Sequence, residues 1–359
     1  MKKVFFLLLL NISYTMVEAQ CTTVVECNAQ GKAAYDNKEY DDAYTYYEFS
    51  ARQGNIDAQM AIGEMIYNDK LSISIDYNES FKWFEKAALK GNSDAQVYLA
   101  SCYYHGKGAN KNFAKALEWD TAAANLGNSN GMYNIGCLYR IGDGVVQNHT
   151  VALEWFKKSA DLENSDAMNN IGYMYGVGNG VPQDYAQALI WYKKAADLGN
   201  GMAFYNIGFM YRNGNGVLQD YATALTWYKK AADLGDCSAA NSIAWLYSEG
   251  KGVIQDYSIA LTWFKKAAEC GNDNAIYAIG NMYLKGHGLT INSDTALFWF
   301  SKAADKGNTQ AMYTIGWMWE NGAGGTPKNS EVAIRWYKSA ASLGNKESQK
   351  RLTELNETW

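Results

Sequence analysis

The chain has 359 residues, of which 48% are hydrophobic, 14% aromatic and 19% charged, and its formal net charge is −5. Only two prolines and so many aromatic residues exclude a collagen-like or a disordered chain. No cluster of Lys and Arg is present, so nucleic acid is not expected as a partner.

The first element in chain order is a predicted leader sequence. A lysine pair follows Met1 and precedes a short apolar run over residues 4–10, and the small residues Val17 and Ala19 suit a cleavage site after Ala19. This pattern predicts a secretory signal peptide over residues 1–19. We therefore expect export, to the periplasm or medium in a bacterium and to the endoplasmic reticulum lumen or outside in a eukaryote. The apolar run is too short to cross a bilayer, and no membrane span is expected elsewhere.

Tryptophan then recurs with a fixed period. It stands at positions 83, 119, 155, 191, 227, 263, 299 and 336, so that six intervals are 36 residues and the last is 37. A period of this size is typical of a helical repeat array. Residues 167–199 show two apolar patterns at helical spacing, separated by a glycine-rich turn. We expect Trp191, Trp227 and Trp263 to be buried between units.

Helix boundaries are marked at the same places in each unit. Asp184, Asp220 and Asp256 precede the second helix, as capping residues should. A glycine follows that helix, where a left-handed residue is favoured; these are Gly199, Gly235, Gly271 and Gly307. Glu163 replaces this glycine in one unit, which predicts a local irregularity there.

The unit resembles the Sel-one-like repeat, a 36-residue relative of the tetratricopeptide repeat. Its pattern A-x-x-x-L-G-x-x-Y-x-x-G-x-G-V-x-x-D-x-x-x-A-x-x-W-x-x-K-A-A is matched closely from residue 92 to 307. The resemblance implies an all-α fold, a right-handed superhelical α/α solenoid of about nine helix–turn–helix units. A segment over 20–54 contains a tetratricopeptide-like first unit without the G-x-G turn, and a capping helix is predicted over 345–359. The eight Sel-one-like repeats are 55–91, 92–127, 128–163, 164–199, 200–235, 236–271, 272–307 and 308–344.

Signatures of catalysis are sparse. The three histidines lie in separate units without paired cysteines, and no phosphate-binding loop is present, so no metal and no cofactor are expected. Cysteine-rich bacterial relatives have been described as binding or hydrolysing β-lactams, and this chain has one Ser-x-x-Lys match, Ser248 to Lys251. It falls in an inter-helix turn, and K-T-G is absent. The chain is predicted not to be an enzyme, with a β-lactam-recognising hydrolase as the alternative.

Six cysteines follow the leader. Cys237 begins a first helix and Cys270 ends the antiparallel second helix, so a disulfide between them is plausible in an exported protein, as is one between Cys21 and Cys27. Asn78, Asn148 and Asn356 lie in glycosylation sequons, which matter only in a eukaryotic secretory pathway. With a eukaryotic source, luminal relatives suggest a quality-control adaptor of the endoplasmic reticulum as a further alternative.

The resemblance also places the binding surface. In tetratricopeptide-like arrays the first helices line the concave side, and positions three before and one after the helix glycine point into it. We call these the groove positions, and they carry aromatic residues interleaved with asparagine. They are Tyr133, Cys137, Asn169, Tyr173, Tyr205, Phe209, Asn241, Trp245, Tyr277, Asn281, Tyr313 and Trp317, extended by Arg140 and Arg212. The alternative is that some of these rings pack as core. The sequence thus predicts a monomeric, non-catalytic scaffold that binds a protein or peptide partner in this groove.

Overall fold

The computed structural model describes residues 21–72 and 76–359, and the predicted leader lies outside them. These residues form 19 α-helices, one short 3-10 turn over Ala323–Gly325 and no strand. The first helices of the nine repeats are α1 (Val24–Asp36), α3 (Ile56–Tyr67), α5 (Ser93–His105), α7 (Ser129–Ile141), α9 (Ser165–Val177), α11 (Gly201–Asn213), α13 (Cys237–Glu249), α15 (Asp273–Lys285) and α17 (Thr309–Asn321). The second helices are α2 (Tyr40–Arg52), α4 (Tyr77–Ala88), α6 (Phe113–Asn125), α8 (His149–Ala160), α10 (Tyr185–Asp197), α12 (Tyr221–Asp233), α14 (Tyr257–Glu269), α16 (Ser293–Asp305) and α18 (Ser330–Ser342), and α19 (Lys346–Glu354) follows them. The predicted all-α class of repeated helix pairs is confirmed.

The chain divides into two compact units, Met1–Gln183 and Asp184–Trp359. Within each unit, every described helix packs on the helix that follows it. The buried residues are mainly alanine, isoleucine and methionine, with a buried aromatic ring in most helix pairs, and they form several hydrophobic clusters along the stacked helices. Such an array is held together by contacts between neighbours, so each repeat depends on the one before and the one after it. None of the described helices combines the length and the apolar character needed to cross a bilayer.

Short polar side chains start the helices as predicted. The Asp184 carboxylate accepts a hydrogen bond from the Gln187 amide at 2.9 Å, and Asp220 and Asp256 cap the following second helices in the same way. Each cap satisfies an amide that has no partner inside the helix, which contributes about 1 kcal/mol. The first helices are capped too, mostly by an asparagine such as Asn200. Repeated capping fixes where each helix begins and therefore how neighbouring pairs are aligned.

The predicted burial of the periodic tryptophans is wrong for Trp191, Trp227 and Trp263, which are only half-buried. The ring that is buried belongs to the next residue, as in Tyr228, which has no exposed surface. That ring lies against the glycine of the first helix in its own repeat. A Cβ atom on Gly208 would approach the Tyr228 ring to 2.8 Å, which is closer than carbon atoms come, so a larger residue would require the ring or the helix to shift. The same arrangement pairs Gly63 with Phe84, Gly136 with Phe156, Gly280 with Phe300 and Gly316 with Tyr337.

These three tryptophans instead lie half-exposed on the second helices, and the Trp227 ring stacks on Phe204 of α11 with 5.9 Å between centres. A lysine three residues further on lies over the indole of all three, with Lys194 Nζ 4.3 Å from the Trp191 ring centre and Lys230 Nζ 4.3 Å from that of Trp227. Cation–π contacts at such exposed sites contribute about 0.5–1 kcal/mol. The indole thus keeps one face on protein and the other under a lysine stem, which explains its partial exposure.

The irregularity predicted at Glu163 is absent. Its φ of 59° is the left-handed conformation that the equivalent glycines adopt, for example 80° at Gly199. The preceding helix is followed by the same pattern of backbone hydrogen bonds, with the Asn164 amide donating to the Ser159 carbonyl. The backbone hydrogen bonds of the turn are thus kept, at a cost of roughly 1–2 kcal/mol relative to glycine.

Two disulfides are present in the described residues. One joins Cys237 at the start of α13 to Cys270 after α14, with Cα atoms 6.1 Å apart, and the other joins Cys21 to Cys27, with Cα atoms 5.3 Å apart. The Cys237–Cys270 disulfide joins the start of α13 to the end of α14, at the side of the helix pair opposite its connecting turn. Cys102 is buried and unpaired in these residues.

The last helix closes the array with a polar outer side. Leu352 of α19 is buried against the preceding repeat, and the Arg351 guanidinium pairs with the Glu320 carboxylate of α17. The same carboxylate accepts a hydrogen bond from the Tyr337 hydroxyl at 2.7 Å. Arg351 holds the pKa of Glu320 below its usual range. With its apolar side buried and its outer side polar, α19 resembles the capping repeats that solenoids need for solubility.

Candidate functional site on the first helices

The groove positions fall into two structural classes. Where the residue three before the helix glycine is a tyrosine, it packs partly on the buried ring of its own repeat. The residue one after the glycine is exposed at Tyr173, Phe209 and Trp317 and half-buried in the other repeats. Ring centres are 5.5 Å apart for Tyr205 and Tyr228, and 5.6 Å apart for Tyr313 and Tyr337. The tyrosines three before the glycine therefore act partly as core. The accessible binding surface is formed by the residues one after the glycine.

In the Asp184–Trp359 unit, the accessible groove positions carry large rings. Phe209 and Trp317 are 42% and 40% exposed. Trp245 is half-buried, and the Arg212 guanidinium lies over it at 4.2 Å from the ring centre. An arginine stacked on an indole is preorganised, because it loses less side-chain freedom when a partner binds. Phe209, Trp245 and Trp317 are called here the aromatic stripe of α11, α13 and α17; its first and last rings are exposed and its middle ring is half-buried.

Polar groove residues in the same unit lie beside this stripe. Asn241 and Asn281 are half-buried on α13 and α15. The Tyr277 hydroxyl and the Thr314 hydroxyl are 3.3 Å apart, which links α15 to α17. The Tyr277 ring rests on Phe300, 5.4 Å between centres. The surface therefore alternates aromatic and amide side chains on a rigid support.

The Met1–Gln183 unit presents fewer exposed rings. Tyr173 is 44% exposed, whereas Asn169 is buried. Tyr133 packs on Phe156 at 5.7 Å between ring centres, and burial raises its hydroxyl pKa. Cys137 and Arg140 are half-buried on α7. This part of the predicted groove is more polar and more enclosed.

The Ser-x-x-Lys match is not assembled as a catalytic pair. The Ser248 hydroxyl donates a hydrogen bond to the Trp245 carbonyl at 2.9 Å, within its own helix. The Lys251 ammonium lies near the Tyr221 ring, 5.8 Å from its centre. A nucleophilic serine needs its base within hydrogen-bond reach, and Ser248 does not have one here. No group of three or more His, Cys, Asp or Glu suited to a metal ion occurs in the part of the chain that the structure describes.

Modification sites were predicted at three asparagines. Asn78, Asn148 and Asn356 are all exposed. Asn148 also caps α8 by accepting a hydrogen bond from the Val151 amide at 3.1 Å.

Sequence reasoning missed one site residue. Asp120 on α6 is only 3% exposed and lines a cavity of about 250 Å³ between α5 and α7. The signal was present in the sequence, since W-D at 119–120 replaces the Trp-aromatic pair of the other repeats. Burial raises the pKa of the Asp120 carboxyl to about 8, and a hydrogen bond from the Asn134 side chain opposes this rise.

Helix pairs repeated every 36 residues, with a preserved aromatic surface on the first helices, define an α/α repeat protein of the tetratricopeptide-like class. The family model for the Sel1 repeat matches nine stretches, 30–55, 56–92, 93–128, 129–164, 165–200, 202–236, 237–272, 273–308 and 309–345. The chain therefore belongs to the Sel1 repeat family, whose members are in general scaffolds for protein interaction.

Two solved structures support this assignment. One is c5321, a protective antigen of uropathogenic Escherichia coli displaying an SLR fold, which is 31% identical over 87% of this chain and 67% of that one, with a TM-score of 0.68. The other is a Sel1 repeat protein from Oxalobacter formigenes, which is 29% identical over 86% of this chain and 90% of that one, with a TM-score of 0.63. No curated protein matches the sequence.

Proposed function

We propose that this protein is a non-catalytic, exported, monomeric scaffold that binds a protein or peptide partner on the predicted concave face of its first helices. The observation that supports the proposal is the aromatic stripe, in which Phe209 and Trp317 are exposed and Arg212 lies over the half-buried Trp245 ring. Exposed aromatic residues and arginine are the groups on which binding energy concentrates at interfaces. Half-buried asparagines beside them offer donors and acceptors to the backbone of an extended segment.

The peptide site is tested by substitution on the exposed positions. Peptides are selected from a displayed random library on the immobilised mature chain, and the affinity of a selected peptide is measured by fluorescence anisotropy. Phe209→Ala with Trp245→Ala should weaken binding at least tenfold, since two hot-spot residues contribute about 2 kcal/mol or more each. Tyr205→Ala is less informative, because Tyr205 also supports the buried Tyr228 ring.

The matched control removes apolar surface from the second helices. Ile259→Ala with Phe298→Ala takes away exposed side chains of α14 and α16 and should leave affinity within twofold. Lys193→Glu with Lys229→Glu, also on second helices, should have little effect. If the second-helix changes abolish binding while the Phe209 and Trp245 double variant binds normally, the site lies on the second helices and the proposal is wrong.

Export and oxidation are tested together. A chain expressed with its leader and recovered after export should begin at Gln20 by mass spectrometry, and Cys237 and Cys270 should resist thiol labelling until they are reduced. Because the bond closes a loop with a sequence separation of 33 residues, Cys237→Ser with Cys270→Ser should lower the free energy of unfolding by about 2–4 kcal/mol. The double variant Cys102→Ser with Cys137→Ser, which removes unpaired thiols, is the control for oxidation state. A recovered chain that still starts at Met1, with reactive thiols at 237 and 270, would contradict export.

A further inference from the structure

One repeat replaces its buried ring with a carboxyl group. The other second helices that carry a tryptophan place an aromatic residue immediately after it, namely Phe84, Phe156, Tyr192, Tyr228, Phe264, Phe300 and Tyr337. In α6 this position is Asp120, which is 3% exposed. The Asp120 side chain is far smaller than a ring, and it is the only charged residue type in the series. The replacement therefore removes apolar volume and introduces an ionisable group at one step.

The space left by the ring is a cavity of about 250 Å³. Its walls come from α5, including Ala100 and Tyr104, and from α7, including Asn134, Leu138 and Ile141. Ala100 stands where most repeats have the helix glycine, but it does not account for the missing ring. The repeat over 236–271 also has an alanine there, Ala244, and still buries Phe264. The aspartate, rather than the alanine, creates the cavity.

The carboxyl group has an unused hydrogen-bonding side. One oxygen, Oδ1, accepts a hydrogen bond from Asn134 Nδ2 at 2.9 Å. Neither a hydrogen bond to Oδ2 nor a cation paired with Asp120 is found within residues 21–72 and 76–359. A buried carboxyl without a counter-ion is costly in its charged form.

None of the other ionisable groups around the cavity acts as a counter-ion for Asp120. From α5, the Tyr104 hydroxyl donates to Asp143 at 2.7 Å, and His105 lies at the cavity wall. From α7, Cys137 lines the cavity and lies beside Arg140. Burial is the dominant influence on Asp120, and among side chains only Asn134 opposes it.

We propose that this cavity, the Asp120 pocket, binds a primary ammonium group, with the Asp120 carboxylate as its counter-ion and an alkyl stem against Ala100, Leu138 and Ile141. An ammonium group donates three hydrogen bonds, so it can use the open Oδ2 oxygen. The apolar wall residues suit a short aliphatic chain better than a hydrated metal ion, which needs several oxygen ligands. Such an ammonium is supplied either by a free alkylamine or by a lysine side chain of a bound peptide, and the second source rests on the proposed peptide-binding function.

Binding is coupled to protonation. An ammonium group pairs with the ionised carboxylate, so each binding event near neutral pH releases a proton from Asp120. Because the pKa of Asp120 is raised to about 8, the ionised fraction grows steeply between pH 6 and pH 8. Apparent affinity scales with the fraction of competent protein, which predicts binding at least tenfold tighter at pH 8 than at pH 6.

The test is a calorimetric titration of the mature chain with n-butylammonium chloride at both pH values. Wild type and the control Asp197→Asn, which neutralises an exposed aspartate on α10, should show saturable binding with proton release. Asp120→Asn keeps the shape of the side chain without its charge, and Asp120→Phe fills the cavity; both should bind at least tenfold more weakly. Far-ultraviolet circular dichroism checks that each variant is folded. If Asp120→Phe does not fold, Asp120→Asn alone tests the proposal. Absence of saturable binding to wild type at pH 8, or unchanged binding to Asp120→Asn, would overturn the proposal.

A second arm separates the two sources of the ammonium group. A library-selected peptide is compared with the same peptide carrying norleucine at each lysine. If the norleucine peptide binds wild type at least tenfold more weakly than the lysine peptide, and the two bind Asp120→Asn equally, the ammonium group comes from a peptide lysine. If both peptides bind wild type equally while butylammonium still binds, the ammonium group comes from a free amine. If no peptide binds at the Phe209 and Trp245 surface while butylammonium binds at Asp120, the scaffold proposal fails and the pocket stands.

Discussion

Replacing Tyr228 by alanine should lower the free energy of unfolding by about 3–5 kcal/mol, the range typical of a large core ring that is lost to a cavity. Tyr228 has no exposed surface, lies against Gly208 and packs on Tyr205 with the two rings tilted by 43°. Urea denaturation followed by circular dichroism measures the loss.

The neighbouring tryptophan provides the comparison. Trp227→Ala should cost no more than about half as much, since the indole is half-buried and has Lys230 on one face. Because coupling in a repeat array is local, hydrogen exchange should show the loss of protection mainly in α11 to α14. A larger loss from Trp227→Ala than from Tyr228→Ala would mean that the tryptophan is the core residue after all.

Asp120 should make the protein less stable as the pH rises from about 4 to about 8. The pKa of its carboxyl is raised from 3.8 to about 8 in the folded chain, so the folded state holds a proton that the unfolded state releases over this interval. Stability from such a group is fully present below the unfolded pKa and falls by about 1.4 kcal/mol per pH unit until the folded pKa is reached. The accumulated loss is roughly 5 kcal/mol at pH 8.

Two variants isolate this effect. Urea denaturation at pH 5, 6, 7 and 8 should show the fall for wild type and a nearly flat response for Asp120→Asn, which cannot ionise. Glu320 has a lowered pKa, so its contribution is lost only as the pH falls into the acid range and does not interfere. Asp120→Phe should be more stable than wild type at pH 8, because a ring fills the cavity and no charge is buried. An equal pH slope in wild type and Asp120→Asn would show that another group is responsible.

Together these predictions describe opposite roles for one repeat position. Tyr228 is expected to hold its repeat together, whereas Asp120 is expected to weaken its repeat while keeping a cavity open. A site that reduces stability in this way is common where a protein binds a ligand, because the same buried polar group is satisfied by the bound molecule. The stability and titration experiments therefore address the same residue from two independent directions.

The sequence alone determined the architecture, because the signals for it are local and are repeated. The 36-residue tryptophan period, the capping aspartates and the glycines after each second helix placed α10 between Asp184 and Gly199, and the structure ends it at Asp197. Caps act within one turn of a helix, so they can be read without knowing what the helix packs on. Repetition removed the ambiguity that a single short helical pattern would have carried.

Only the tertiary structure decided which side chains are core and which are accessible. Trp227 and Tyr228 are adjacent and both apolar, and the choice between them depends on which one meets Gly208 of another helix. In the same way, the two groove positions separate only once the Tyr205 ring is seen to rest on Tyr228 while Phe209 faces outward. The cavity beside Asp120 and the left-handed backbone at Glu163 likewise become visible only in the folded chain. Burial and strain depend on atoms distant in the sequence, and a pattern read along one helix does not contain them.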